Sequence, residues 1–276
     1  MKTPRHVVVV FVACLLPTLA SERQPNSPLG IGFLWTAQSQ QVFGRLNRDQ
    51  DFVDILLGPG NVDVFKKVKP PVKVSCISLS LEQNKERPFL GLKETIALLR
   101  KNNIPPDRVL LAYNPERHPG TPTPEMDDLL GSARRAQQMA RAYGAPLLIG
   151  PGMREMMQRE HLYPELAKCC DIWMLQSQRL QLDETTRRPV EVGVYRQKVK
   201  KIVDQLRQGN PKIRVFVQIV TIAERAKVTQ SPEQIAGFAR AIEDIVDAVR
   251  IYGARANLLG QIIEQLRGAK SPATTP

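Results

Sequence analysis

The chain has 276 residues, carries a formal net charge of +12, and is 42% hydrophobic but only 5% aromatic. That length and apolar content exclude a disordered chain and a small disulfide-stapled scaffold, and they suffice for a sizeable core. No basic block is interleaved with aromatics, which argues against specific nucleic-acid binding; Arg134, Arg135, Arg141, Lys198, Lys200, Lys201 and Arg207 are spread over helical segments and read as solvated faces.

Residues 1–20 have the layout of a secretory signal peptide. Lys2, Arg5 and His6 form a positive start, Val7 to Leu16 an apolar core too short to span a bilayer, and Thr18-Leu19-Ala20 a cleavage site. The expected location is therefore secreted, periplasmic or extracellular, with no transmembrane span after cleavage. A lipoprotein reading through Cys14 ranks second. After cleavage Cys76, Cys169 and Cys170 would remain, an odd number that leaves at least one thiol free. His6, His118 and His161 give no metal-ligand spacing, so neither a metal nor another cofactor is expected.

Residues 21–28 read as a polar linker and residues 29–268 as one domain. Strand one is Gly30 to Trp35, followed by a helix from Ser39 to Asn47. Strand two, Asp51 to Leu57, stops at Gly58-Pro59-Gly60, and a short helix capped by Asn61 follows. Strand three runs from Val72 to Leu81, rich in β-branched residues. The helix behind it, Gly91 to Asn102, places Leu92, Ile96 and Leu99 on one face. Strand four is Arg108 to Tyr113, and a proline-rich loop leads to a helix from Glu125 to Tyr143 with Gly144 as its C-cap.

Strand five is Pro146 to Ile149, then Gly150-Pro151-Gly152 and helical turns to Ala167. Strand six is Asp171 to Leu175, and a long loop and a helix to Gly209 follow. Strand seven is Arg214 to Val220, and Ser231-Pro232 starts the next helix as N-cap and N1. Strand eight is Ala248 to Tyr252, and Ala254 to Arg267 closes the domain. Residues 269–276 read as a disordered tail. Eight strand–helix units in this length predict a closed parallel (β/α)₈ barrel, the TIM-barrel architecture.

In such a barrel the C-terminal strand ends share one working rim. Trp35, Tyr113, Asn114, Glu116, Gln176, Gln178, Gln218 and Tyr252 fall there. Amides grip hydroxyls in pairs and aromatic faces cover sugar rings, so the set suits a carbohydrate or another polyhydroxylated ligand. Glu116 is the candidate general acid, and the other seven are candidate substrate-binding residues.

Asn114-Pro115-Glu116 at the end of strand four resembles the acid/base position of TIM-barrel glycoside hydrolases. Trp173-Met174-Leu175-Gln176 is similar to the strand-six motif of chitinase-like members of that superfamily. The resemblance implies a secreted glycoside hydrolase-like barrel. Hydrolysis normally uses two carboxyl groups. Strand seven ends in Gln218, Ile219 and Val220, so Glu82 and Glu224 are the remaining candidates for the second, and His118 is a candidate second proton-transfer group. Without a second carboxylate, the same barrel would be a non-catalytic carbohydrate- or surface-binding protein.

Overall fold

The computed structural model describes residues 28–83, 89–117, 120–183, 185–186, 188–223 and 228–268. Strands β1 (Gly30–Leu34), β2 (Phe52–Ile55), β3 (Lys73–Ser78), β4 (Val109–Tyr113), β5 (Leu147–Ile149), β6 (Ile172–Gln176), β7 (Arg214–Val220) and β10 (Ala248–Tyr252) are parallel and close into one barrel. The expected (β/α)₈ architecture is therefore the observed one. Residues 1–27 and 269–276, with the expected signal peptide, most of the linker and the tail, lie outside the described residues, as do His118 and Glu224.

Each strand buries both faces, which is why the runs read as continuously apolar. One set of alternate residues fills the barrel: Phe52, Leu110, Ala112, Leu148, Ile172, Met174, Phe216 and Ala248, with the Phe52 and Phe216 rings stacked at 5.0 Å. The other set, including Val53, Val74, Leu111, Tyr113, Trp173, Val217 and Val249, packs against the surrounding helices. Gly32 is set by this filling. A Cβ there would run into the Phe52 ring, so the residue paired with Phe52 across β1 and β2 has no side chain.

Three aspartates tie the lower rim in the same way. Asp51, Asp171 and Asp247 each precede a strand and accept the backbone N–H of the strand before: Ile31 at 2.9 Å, Leu147 at 2.9 Å and Val215 at 2.8 Å. Asp51 also receives Arg267, which draws the last helix, Ala256–Gly268, onto the barrel floor.

The helical layer departs from the expectation at several places. Residues Ser39–Arg45 form a 3₁₀ helix, and the segment after β2 holds a single α-turn, Val64–Lys67. Asn61 does not cap that turn; its side chain accepts from Gly58 N and donates to Leu56 O, closing the glycine-proline loop. The helix expected from Glu125 to Tyr143 is broken at Asp128, whose carboxylate accepts Gly131 N and starts Leu129–Tyr143 as a new helix. A hairpin of β8 (Ile222–Ala223) and β9 (Val228–Thr229), absent from the sequence reading, follows β7. Gly144 at φ 89° and the Ser231–Gln234 capping box end and start their helices as expected.

Cys76, Cys169 and Cys170 are all free and buried. Among the described residues no helix is long and apolar enough to cross a membrane.

Candidate functional site

Above the apolar filling, the barrel interior turns polar. Cross-strand register aligns Gln176 on β6 with Gln218 on β7, and Gln218 with Arg250 on β10. Residue alternation aims all three inward, in the layer above Met174, Phe216 and Ala248. Asp54 on β2 reaches the same layer and forms a buried ion pair with Arg250. Burial pushes the Asp54 carboxyl above its ordinary range, while the Arg250 charge and the Ser75 hydroxyl pull it back. Arg250 also lies 5.2 Å beneath the Tyr252 ring, whose outer side is exposed at the mouth.

Glu116 lies two residues beyond Asn114, on the loop leaving β4, and is half-buried. Its Oε1 accepts from Asn114 Nδ2 at 2.9 Å and from Gln176 Nε2 at 2.6 Å. Among the described residues no partner engages Oε2. The Glu116 backbone N–H donates to Thr121 Oγ1 at 3.1 Å, and Thr121 Oγ1 donates to Leu79 O at 2.6 Å, so the loops after β3 and β4 are fastened together.

Gly150 makes this arrangement possible. A Cβ there would press on Asn114 Oδ1 and Met174 at 2.9 Å, and the Gly150 carbonyl accepts from Gln176 Nε2 at 3.0 Å. Gln176 Nε2 also reaches Asn114 Oδ1 at 3.1 Å. The amides continue away from Glu116: Gln178 Nε2 donates to Gln176 Oε1 at 3.1 Å, Gln218 Nε2 to Gln178 Oε1 at 3.2 Å, and Arg250 Nη1 to Gln218 Oε1.

The structure thus brings Asn114, Glu116, Gln176, Gln178, Gln218 and Tyr252 to one mouth. Two residues expected there are elsewhere. Tyr113 is fully buried on the outer face of β4, and its hydroxyl donates to Glu125 Oε2 at 2.8 Å, so it cannot meet a ligand in the mouth. Strand alternation puts it opposite Ala112 and Asn114. Trp35 likewise turns to the outer layer, with Phe43 at 5.1 Å and the Lys67 ammonium 5.1 Å over its ring. Gln176 and Gln218 are only 6% and 4% exposed, which suits them to holding neighbours rather than to gripping a ligand directly.

Two acidic residues gain roles that the sequence did not signal. Glu125 is buried, and both its oxygens accept the Leu81 N–H in addition to Tyr113, tying the β3 loop to β4. Burial raises its carboxyl above the usual range, against the pull of those hydrogen bonds. Glu155, in the helix Met153–Met157, folds back over Gly152: a Cβ on Gly152 would run into Glu155 Oε2 while lying 3.4 Å from Glu116 Cγ. The Glu155 and Glu116 side chains therefore flank one point, and Gly152 N is held by Pro115 O at 3.2 Å. Spacing along the chain carries no sign of this proximity. Glu82, by contrast, faces solvent and pairs with Lys93 at 3.0 Å.

Fold and site together define a (β/α)₈ barrel whose C-terminal mouth holds a carboxylate amid amides. No protein-family model and no curated protein sequence matches the chain. Solved structures do resemble it in fold. They include the spore cortex-lytic enzyme SleL of Bacillus megaterium QM B1551 (TM-score 0.57, 9% identity, covering 88% of this chain and 74% of that one). Another is a glycoside hydrolase family 18 N-acetylglucosaminidase from Paenibacillus barengoltzii (0.54, 10%, 87% and 99%). A third is the β-mannanase of Thermomonospora fusca (0.51, 13%, 90% and 91%). These likenesses are of fold, a (β/α)₈ barrel shared with solved glycoside hydrolase structures.

Proposed function

We propose that this chain is an exported carbohydrate-active barrel in which Glu116 is the general acid that protonates a glycosidic oxygen. One observation supports the reading: both amide donors converge on Glu116 Oε1, which leaves Oε2 as the oxygen to hold a proton. A protonated carboxyl has one oxygen that only accepts and one O–H that donates, and donors gathered on Oε1 assign these two parts. Glu155, beside Glu116 at Gly152, is the second carboxyl group in this reading. Asn114 and Gln178, both half-buried, face ligand hydroxyls, and the exposed Tyr252 ring covers a sugar face. The structural neighbours, a cortex-lytic enzyme, an N-acetylglucosaminidase and a mannanase, agree with a glycan as the ligand class.

A second reading is a glycan-binding barrel without turnover. It is favoured by the end of β7, where Gln218 is held between Arg250 and Gln178 and no carboxylate follows up to Ala223.

The test is hydrolysis of a panel of β-linked polysaccharides and N-acetylated oligosaccharides by wild type and Glu116→Gln. Hydrolysis lost in the variant, with glycan binding retained by calorimetry, supports the acid. A wild type that binds a glycan yet cleaves nothing on the panel establishes the second reading instead.

A further inference from the structure

We infer that Arg250 is a positioning residue for Glu116, acting across the barrel through a directed line of three glutamine amides. The inference rests on the reading of Glu116 as proton donor. A glutamine amide carries donors at one end and an acceptor at the other, and rotating it by half a turn exchanges them. A row of amides therefore has no direction of its own; one end must be unable to reverse. A guanidinium only donates. Arg250 Nη1 donates to Gln218 Oε1, which turns the Gln218 Nε2 toward Gln178 Oε1. Gln178 Nε2 then meets Gln176 Oε1, and Gln176 Nε2 meets Glu116 Oε1.

The reverse order would set an amide N–H₂ against the guanidinium and an amide oxygen against the carboxylate, repulsive at both ends. Arg250 is itself fixed by the Asp54 ion pair and the Tyr252 ring. At the far end the Gly150 carbonyl, which can only accept, takes Gln176 Nε2 as well, so Arg250 and Gly150 O enforce one direction between them. Oε1 of Glu116 is thereby kept an acceptor, and in the acid reading the proton falls to Oε2.

Gln218→Glu tests this. It keeps an acceptor for Arg250 and removes the donor to Gln178, so the line loses its direction without stranding the buried cation. Side-chain amide resonances of ¹⁵N-labelled protein, with those of Gln176 assigned by their loss in Gln176→Leu, report the hydrogen bond to Glu116 independently of catalysis. In Gln218→Glu the Gln176 amide protons should shift and exchange about tenfold faster. On any glycan that wild type cleaves, kcat should fall about 10²-fold with KM nearly unchanged. Arg250→Lys, which keeps the charge beside Asp54 but loses the fork, should move the same resonances and serves if Gln218→Glu does not fold. Gln176 resonances unchanged in a folded variant overturn the inference. Resonances that respond, in a protein that cleaves no glycan, leave the positioning intact and overturn the acid reading instead.

Discussion

Gln176 Nε2 sits 2.6 Å from Glu116 Oε1 and 3.0 Å from Gly150 O, joining the ends of β4, β5 and β6 through one amide. It is 6% exposed, so its work is to hold the carboxylate rather than to meet a ligand. Gln176→Leu should lower turnover about 10²-fold, the usual effect of losing one aligned donor. Glycan affinity should change little. Steady-state kinetics on the substrate identified by the panel, with calorimetric binding beside it, check the split; an equal loss in both would make Gln176 a ligand contact.

Arg250 and Asp54 form an ion pair sealed inside the barrel. Removing one partner leaves the other charge buried and unpaired, which costs about 3–5 kcal/mol. Arg250→Met alone should therefore destabilise strongly. Asp54→Asn combined with Arg250→Met should recover most of that loss, because no lone charge remains. Urea unfolding of the two single variants and the double variant, read as a double-mutant cycle, measures the coupling.

Gly32 lies beside Phe52 on the neighbouring strand, its α-carbon covered by the Phe52 ring with no room for a methyl group. Gly32→Ala should cost about 1–3 kcal/mol through overpacking. Phe52→Leu vacates the clash, so adding Gly32→Ala to it should cost clearly less than adding it to wild type. Equal costs in the two backgrounds would show that the ring moves aside freely. Chemical denaturation of the four proteins decides.

Glu125 gives stability a pH dependence with a definite sign. Burial raises its carboxyl in the folded chain above the ordinary value of 4.5. Between the unfolded and folded values the native state holds more protons, so this group's contribution is full below about 4.5 and is lost as pH rises through the raised folded value. Wild-type stability should accordingly fall across that window. In Glu125→Gln the fall should flatten, since the amide does not ionise. Urea midpoints from pH 4 to pH 7 for both proteins test it, and parallel curves would contradict the assignment.

Much of this protein was legible in the chain itself. Apolar runs such as Val109–Tyr113 and Arg214–Val220, separated by helical periodicity, specify a parallel barrel because strands covered on both faces need apolar side chains at nearly every position. Once the barrel is assumed, counting to the strand ends finds Asn114, Glu116, Gln176, Gln178, Gln218 and Tyr252. It fails at Tyr113 and Trp35, because being near a strand end says nothing about which face of the strand a side chain leaves. One residue of alternation sends Tyr113 to Glu125 and Asn114 to the mouth.

Tertiary structure alone decided the rest. Arg250 and Asp54 sit within strands and carry no motif, and their meeting depends on barrel closure bringing β10 and β2 to either side of β1. Glu155 reaches Glu116 only because the loops after β4 and β5 are bonded at Pro115 and Gly152. The sequence determined which eight strands build the barrel. The direction of the amide line depends, apart from the local Gln178–Gln176 bond, on contacts between residues 32, 40 and 60 positions apart, which only the pairing of strands distant in sequence creates.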